Sequence, residues 1–276
     1  MPSQLHHFVP RFHLRRFVDS EQKQELIWVY ERGKEGPELR ALDKVAAQKD
    51  YYAFKTEEGK KVQDIEAMLS QIEGRAAPIL HRIQAQDGRI SREDRSTLAL
   101  FLSLGCLRTP KFRRAAEDLL SESLVTFSRK LASDPIKFAE KVKSTERALG
   151  KSFGDPEKLR RAITEDRIRL KAEPEYSLKI MLKDAFQHAA MFENMRWSLR
   201  EADEDISLVT TDSPVVLNNP SLLPGNGPPT PGALEVIFPI YPKFVLFATW
   251  DGHRGSNQMS ASLTREVNKL MALGNL

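Results

Sequence analysis

Between Leu98 and Cys106 the chain reads Leu-Ala-Leu-Phe-Leu-Ser-Leu-Gly-Cys, a stretch without a single charge. Upstream, Ser91 followed by Asp94 resembles a capping box with Asp in place of the usual Glu or Gln, so a helix opens there and carries the apolar stretch. A helix that is apolar all round has no face to offer water and must be enclosed by the rest of the fold. With 276 residues the chain is long enough to supply that cover. Every other element is therefore read by asking which face it turns toward this central helix.

On one side stands a long amphipathic helix over about 62–86, with Ile65, Met68, Leu69, Ile72, Ala76, Ile79, Leu80 and Ile83 at helical spacing. Pro78 is expected to kink or divide it. Helical patterns also cover roughly 112–131, 135–149, 156–171 and 176–193, with Pro110 ending one helix or starting another. The most polar part, about 128–173, is expected to be a mobile helical insertion in an otherwise single domain spanning 1–276. Its basic residues, including Lys158, Arg160, Arg161, Arg167 and Lys171, alternate with Glu157, Glu165 and Asp166 and read as a solvated face. The last third changes period. Segments 196–200, 206–210 and 215–217 look like strands, and 218–232 is a Pro-, Gly- and Asn-rich loop. A hairpin follows around 241–243, and a final helix starts near Ser260. Earlier, Leu26–Tyr30 and Tyr51–Phe54 are short β-prone runs, and Pro10 suits the first position of a short helix. The fold class is α+β: a central helical bundle with a small N-terminal β unit and a C-terminal antiparallel sheet.

Composition is ordinary for a globular protein, at 41% hydrophobic and 29% charged residues, and the net charge of +4 is weak evidence for a nucleic-acid partner. No apolar run approaches the roughly 18 residues of a membrane helix, and the first residues lack the apolar core of a secretory signal. Cys106 stands alone, so there is no intrachain disulfide and no cysteine-built zinc site. A cytoplasmic protein without a membrane partner is the expectation.

The residues with chemical potential cluster at the start. His6, His7 and His13 lie among Arg11, Arg15 and Arg16 and are framed by Phe8, Phe12 and Phe17. Adjacent imidazoles diverge on a helix or a strand, so His6 and His7 do not form a simple bidentate pair. They either contribute to a metal site with distant carboxylates or satisfy the start of the first helix. The arginines offer forks for phosphate or carboxylate, or they pair with Glu66 and Glu73, seven apart on one helix face. Arg108 either meets carbonyls at a helix end or brings a positive charge to a pocket. Asp212 either accepts backbone donors in its turn or acts as a ligand or an acid/base group at a strand end. There is no phosphate-cradling Gly-rich loop, no His-Glu-x-x-His and no Gly-x-Ser-x-Gly.

Taken together, His6-His7-Phe8-Val9-Pro10-Arg11-Phe12-His13-Leu14-Arg15-Arg16-Phe17, Ile27-Trp28-Val29-Tyr30 and Asp50-Tyr51-Tyr52 resemble the bacterial DUF4238 family. The same is true of Ile65-Glu66, Ile72-Glu73, Arg108-Thr109-Pro110, Thr210-Thr211-Asp212-Ser213-Pro214-Val215, Phe238-Pro239-Ile240-Tyr241-Pro242 and Asn268. Where the family usually has Thr-Ser-Asp-Asn-Pro, this chain has Thr211 and Ser213 around Asp212, so the Asp-x-Pro core survives, and Ile240-Tyr241 replaces the usual Leu-Ser, which removes a serine. The resemblance brings no known activity. It implies one site made of His6, His7, Arg11, Glu73, Arg108 and Asp212. The leading expectation is a metal-dependent phosphoester hydrolase or nuclease-like enzyme. His6 or His7 would hold manganese, iron or zinc with Glu73 and Asp212, and Arg11 and Arg108 would neutralise phosphate. Its substrate would be a nucleic acid or a phosphorylated small molecule. The alternative is a non-catalytic module that binds nucleic acid or protein, with a purely structural N-terminal His/Arg motif.

Overall fold

The computed structural model describes residues 5–19, 25–55, 61–62, 64–85, 90–168, 170–220, 231–252 and 257–274. The architecture is α+β, with antiparallel strand pairing throughout the sheets described. The chain divides into two compact units: Met1–Phe112 together with Met181–Leu276, and Arg113–Ile180. The segment expected as an insertion at about 128–173 lies within the second unit, whose bounds are wider.

In the first unit β1 (Leu5–His7) leads into α1 (Arg11–Leu14), with Pro10 just ahead of the helix rather than inside it. A hairpin of β2 (Leu26–Tyr30) and β3 (Pro37–Ala41) follows, and then β4 (Ala47–Lys49), which pairs back onto β1. Residues 51 and 52 form a turn after Asp50, a non-glycine residue at positive φ (53°), so only Phe54 of the expected Tyr51–Phe54 strand is extended, in β5 (Phe54–Lys55) paired with β6 (Lys61–Val62). The two tyrosines are buried instead.

The long helix α2 (Asp64–Ala85) stays continuous through Pro78. Ile65, Leu69, Ala76, Ile79, Leu80 and Ile83 form its buried stripe. Glu66, Glu73 and Ala77 fall within about 40° of one another along the edge of that stripe. Ser91 caps α3 (Arg92–Leu107) by accepting from the Asp94 amide, and α3 is buried at Leu98 and Ala99 and again from Phe101 through Leu107. Thr109 then accepts from the amide of Phe112 and opens α4 (Pro110–Ala132), with Pro110 in the first turn, where a missing N–H costs nothing.

The second unit holds most of α4, all of α5 (Pro135–Leu149) and α6 (Pro156–Thr164), and the start of α7 (Pro174–Glu193). Asp134 and Asp155 cap α5 and α6, each followed by proline. Ala132, Phe138, Val142 and Ile163 make its core. The helix expected to run to 171 ends at Thr164, and Asp166 adopts a positive φ of 54° just beyond it.

After α7 the chain forms a four-stranded antiparallel sheet from β7 (Arg196–Glu201), β8 (Val216–Asn218), β9 (Glu235–Tyr241) and β10 (Phe244–Thr249), in the order β7-β10-β9-β8. The central residues of β9 are all buried, so its apolar run is covered on both faces. Ile237, with Val245, Phe247 and Val216, packs against Val267 and Met271 of α8 (Ala261–Leu273). On the opposite face the Phe238 ring meets Phe101 of α3 at 5.9 Å and the His13 ring of α1 at 4.8 Å. Most of the loop expected over 218–232 lies outside the described residues.

Residues 206–210, expected as a strand, join no ladder. Asn268 of α8 takes the place of a neighbouring strand: its amide donates to the Ser207 carbonyl and its oxygen accepts from the Val209 N–H. This holds the chain that leads to Thr210. Gly105 fixes the following turn from the other side, because a Cβ there would lie 2.7 Å from Val215 Cγ2. Gly105→Ala should therefore destabilise the protein by about 1–3 kcal/mol. A lowered urea midpoint with an unchanged slope checks this, and an unchanged midpoint refutes the close packing.

Candidate functional site

His6 and His7 do not satisfy a helix start. They lie on β1, where successive side chains face opposite ways. His6 is buried, its ring stacks on Tyr52 at 5.7 Å, and its Nδ1 accepts a 3.0 Å hydrogen bond from the Tyr52 amide. An imidazole that accepts at Nδ1 carries its proton on Nε2 and has no lone pair left for a metal. His7 is half-buried and hydrogen-bonds the Asp43 carbonyl. Its buried Nε2 has no partner, so that bond runs through Nδ1–H and Nε2 keeps its lone pair. Burial, helped by the Arg11 charge, holds the His7 pKa below the ordinary 6.5. The two adjacent histidines are thus opposite tautomers, and only His7 can act as a base.

Arg108 sits at the junction of α3 and α4. Its N–H donates to the Leu104 carbonyl and its own carbonyl accepts from the Tyr51 hydroxyl at 3.0 Å. The side chain is 2% exposed, and Nη1 donates to Glu73 Oε1 at 2.6 Å. Nε and Nη2 are buried without a partner. These two nitrogens make up one complete edge of the guanidinium, the edge that grips an oxyanion with two parallel bonds. Glu66, seven residues before Glu73, is half-buried, and burial with the Glu73 charge raises its pKa above the ordinary carboxylate value. The Tyr52 hydroxyl donates to the His7 carbonyl, and burial pushes its pKa up, so it remains a phenol.

His13 is fully buried between Phe17 and Phe238, with its Nε2 2.9 Å from Thr210 Oγ1. Its Nδ1 has no partner. Burial first, then the charges of Arg16 and Arg108, lower its pKa to about 3. Arg16 lies 4.6 Å over the Tyr241 ring and 5.4 Å over Phe12, and its Nη2 donates to the Ala77 carbonyl of α2. Five buried nitrogens of His7, His13, Arg16 and Arg108 are thus without a hydrogen-bond partner among the described residues. Native interiors tolerate few such groups, and charged ones least.

Of the residues expected to share a site, Arg108 and Glu73 meet directly, and His7 lies within reach of the Glu73 charge. Arg11 is exposed. Asp212 is exposed too, and its turn is closed by Thr211, whose hydroxyl accepts from the Ser213 amide and donates to its carbonyl. The expected pairing of Arg15 and Arg16 with Glu66 and Glu73 does not occur: Arg15 binds Glu25, and Arg16 stacks on aromatic rings. Among the described residues no three His, Cys, Asp or Glu side chains gather so as to hold a metal ion. The expected ligand set of His6 or His7 with Glu73 and Asp212 is therefore not gathered among the described residues. His13 and Arg16, named in the N-terminal cluster but left out of the expected site, lie beside Arg108. The signal was present in the aromatic residues around them, since a cation among phenylalanines implies burial. Cys106 is an inert buried thiol whose pKa burial raises.

No helix among the described residues is long and apolar enough to cross a membrane. A family model described as "Protein of unknown function (DUF4238)" matches residues 5–274. No curated protein and no solved structure matches the chain.

The depressed pKa of His13 ties stability to pH. The fold keeps His13 neutral down to about pH 3, whereas an unfolded histidine takes a proton near 6.5. Below 6.5 the unfolded state binds the extra proton, so His13 should remove about 1.4 kcal/mol of stability per pH unit as pH falls toward 3. Urea unfolding at pH 7 and 5 should show this loss, and His13→Gln should lack it. An equal loss in both proteins would refute the assignment.

Proposed function

The chain belongs to the DUF4238 family, whose function is unknown, and from that premise we propose that it is a phosphoester hydrolase working through acid–base chemistry without a bound metal. The observation that carries this reading is the buried Arg108 guanidinium, held by Glu73 on one nitrogen and left with its whole Nε/Nη2 edge unsatisfied. A phosphoryl group supplies the two acceptor oxygens that this edge lacks, and its negative charge grows more concentrated on those oxygens as the reaction proceeds. Glu73 keeps the guanidinium oriented.

The proton steps follow from the two groups whose protonation states the site biases. His7 Nε2 takes a proton from water, and the resulting hydroxide oxygen forms a bond to phosphorus. The bond from phosphorus to the ester oxygen breaks, and the leaving oxygen takes the proton of the Glu66 carboxylic acid. His7 then returns its proton to Glu66 through solvent. The burial that lowers the pKa of His7 and raises that of Glu66 brings both states within reach at mildly acidic pH.

Protein stripped of metal with EDTA should hydrolyse p-nitrophenyl phosphate or its diester with a bell-shaped kcat/KM. The acid limb belongs to His7 and lies below pH 6.5, and the alkaline limb belongs to Glu66 and lies above pH 4.5. Glu66→Gln should remove the alkaline limb. Arg108→Lys, which keeps the charge but loses the fork, should lower kcat/KM by about 100-fold and abolish the rise in melting temperature produced by inorganic phosphate. A folded protein that neither gains stability from phosphate nor cleaves either ester would refute the reading.

A further inference from the structure

Arg108 is not the only cation with an unsatisfied buried nitrogen on this side of α2. Glu73 receives Arg108, and one helical turn later the Ala77 carbonyl receives Arg16. The two anchor residues share one edge of the helix and are separated by about 6 Å of helical rise. Arg16 is half-buried, with its guanidinium against Tyr241 and Phe12, and its Nη1 is buried without a partner. The ionisable group acting on it is the Tyr241 phenol, not a carboxylate. Both arginines act on His13, which is fully buried and whose Nδ1 also has no partner. Glu73 bonds Arg108 and Glu66 acts on it from farther away, whereas neither carboxylate acts on Arg16. A single phosphoryl group on Arg108 would leave the buried Nη1 of Arg16 without a partner among the described residues.

Resting on the phosphoester reading above, we propose that the natural ligand carries two phosphate groups about one helical turn apart, the reacting one on Arg108 and the second on Arg16 Nη1 and His13 Nδ1. The role requires the tautomer in which the Thr210 hydroxyl, 2.9 Å from His13 Nε2, donates to it and the imidazole proton sits on Nδ1, a donor to the second group. Asn268 holds the chain just before Thr210 by bonding Ser207 and Val209. Arg16 and His13 are positioning and binding groups and take no part in bond cleavage.

Phosphonates test this without being hydrolysed. In calorimetric titrations of the full chain, propane-1,3-bisphosphonate should bind at least about tenfold tighter than methylphosphonate, because the second contact is made within one molecule. Methylenebisphosphonate, too short to reach both arginines, should gain little. Arg16→Gln should erase the advantage of the longer bisphosphonate over methylphosphonate while methylphosphonate still binds measurably, which also reports that the variant is folded. Methylphosphonate binding with no gain for propane-1,3-bisphosphonate would overturn this inference and leave the phosphoester reading standing. An equal gain for both bisphosphonates, or a gain that survives Arg16→Gln, would overturn it as well. If no phosphonate binds, the phosphoester reading falls and takes this inference with it.

Discussion

The contact between Arg108 and Glu73 is the constraint to which the rest of the first unit answers. A guanidinium that is 2% exposed stays charged, so its burial is costly unless partners meet it. Its backbone is held by Leu104 and Tyr51, and its side chain by one carboxylate from α2. That one residue therefore ties together the end of the enclosed helix, the amphipathic helix beside it and the turn after β4. Replacing the pair by apolar residues of similar size would often cost little in other proteins. A buried arginine with one complete edge left over makes more sense as part of a site than as a device for stability.

Around this contact the N-terminal motif does two jobs with different residues. Phe8, Phe12, His13 and Phe17 pack it against Tyr51, α3 and β9. His7, Arg16 and His13 bring unsatisfied nitrogens to the same region. The motif is a clamp whose aromatic residues, in burying it, also strip water from its polar groups. Desolvation is what keeps His13 and His7 neutral and biases Glu66 toward its acid form.

Much of the framework could be read in the sequence, and the exceptions have physical causes. The apolar stretch 98–106 demanded enclosure, and α3 is enclosed. Ser91, Asp134, Asp155 and Ser260 all cap the helices they precede, since a short polar side chain before a periodic run satisfies amides locally. Failures came where a side chain from far along the chain replaced a backbone partner. Residues 206–210 have strand composition but bond to Asn268, 59 residues or more away. Tyr51 and Tyr52 have strand propensity but form a buried turn against Arg108 and His6. Pro78 left α2 unbroken because tertiary packing outweighs the loss of one helical hydrogen bond.

The candidate residues divide the same way. Sequence alone established that histidines, arginines and aromatic residues crowd the N-terminus, that Glu66 and Glu73 share a helix face, and that Arg108 ends an apolar helix. Each of these depends only on neighbours within a few turns. Which arginine meets which carboxylate depended on tertiary structure: Arg108 took Glu73, Arg16 took two aromatic rings, and Arg15 took Glu25. So did the tautomers of His6 and His7, which are set by the Tyr52 amide and the Asp43 carbonyl. A lone pair is available or occupied according to a hydrogen bond made across the fold, and no local pattern encodes that. The chain's own order specified the chemical groups brought to this region, and packing determined which of their buried nitrogens are left without a partner among the described residues.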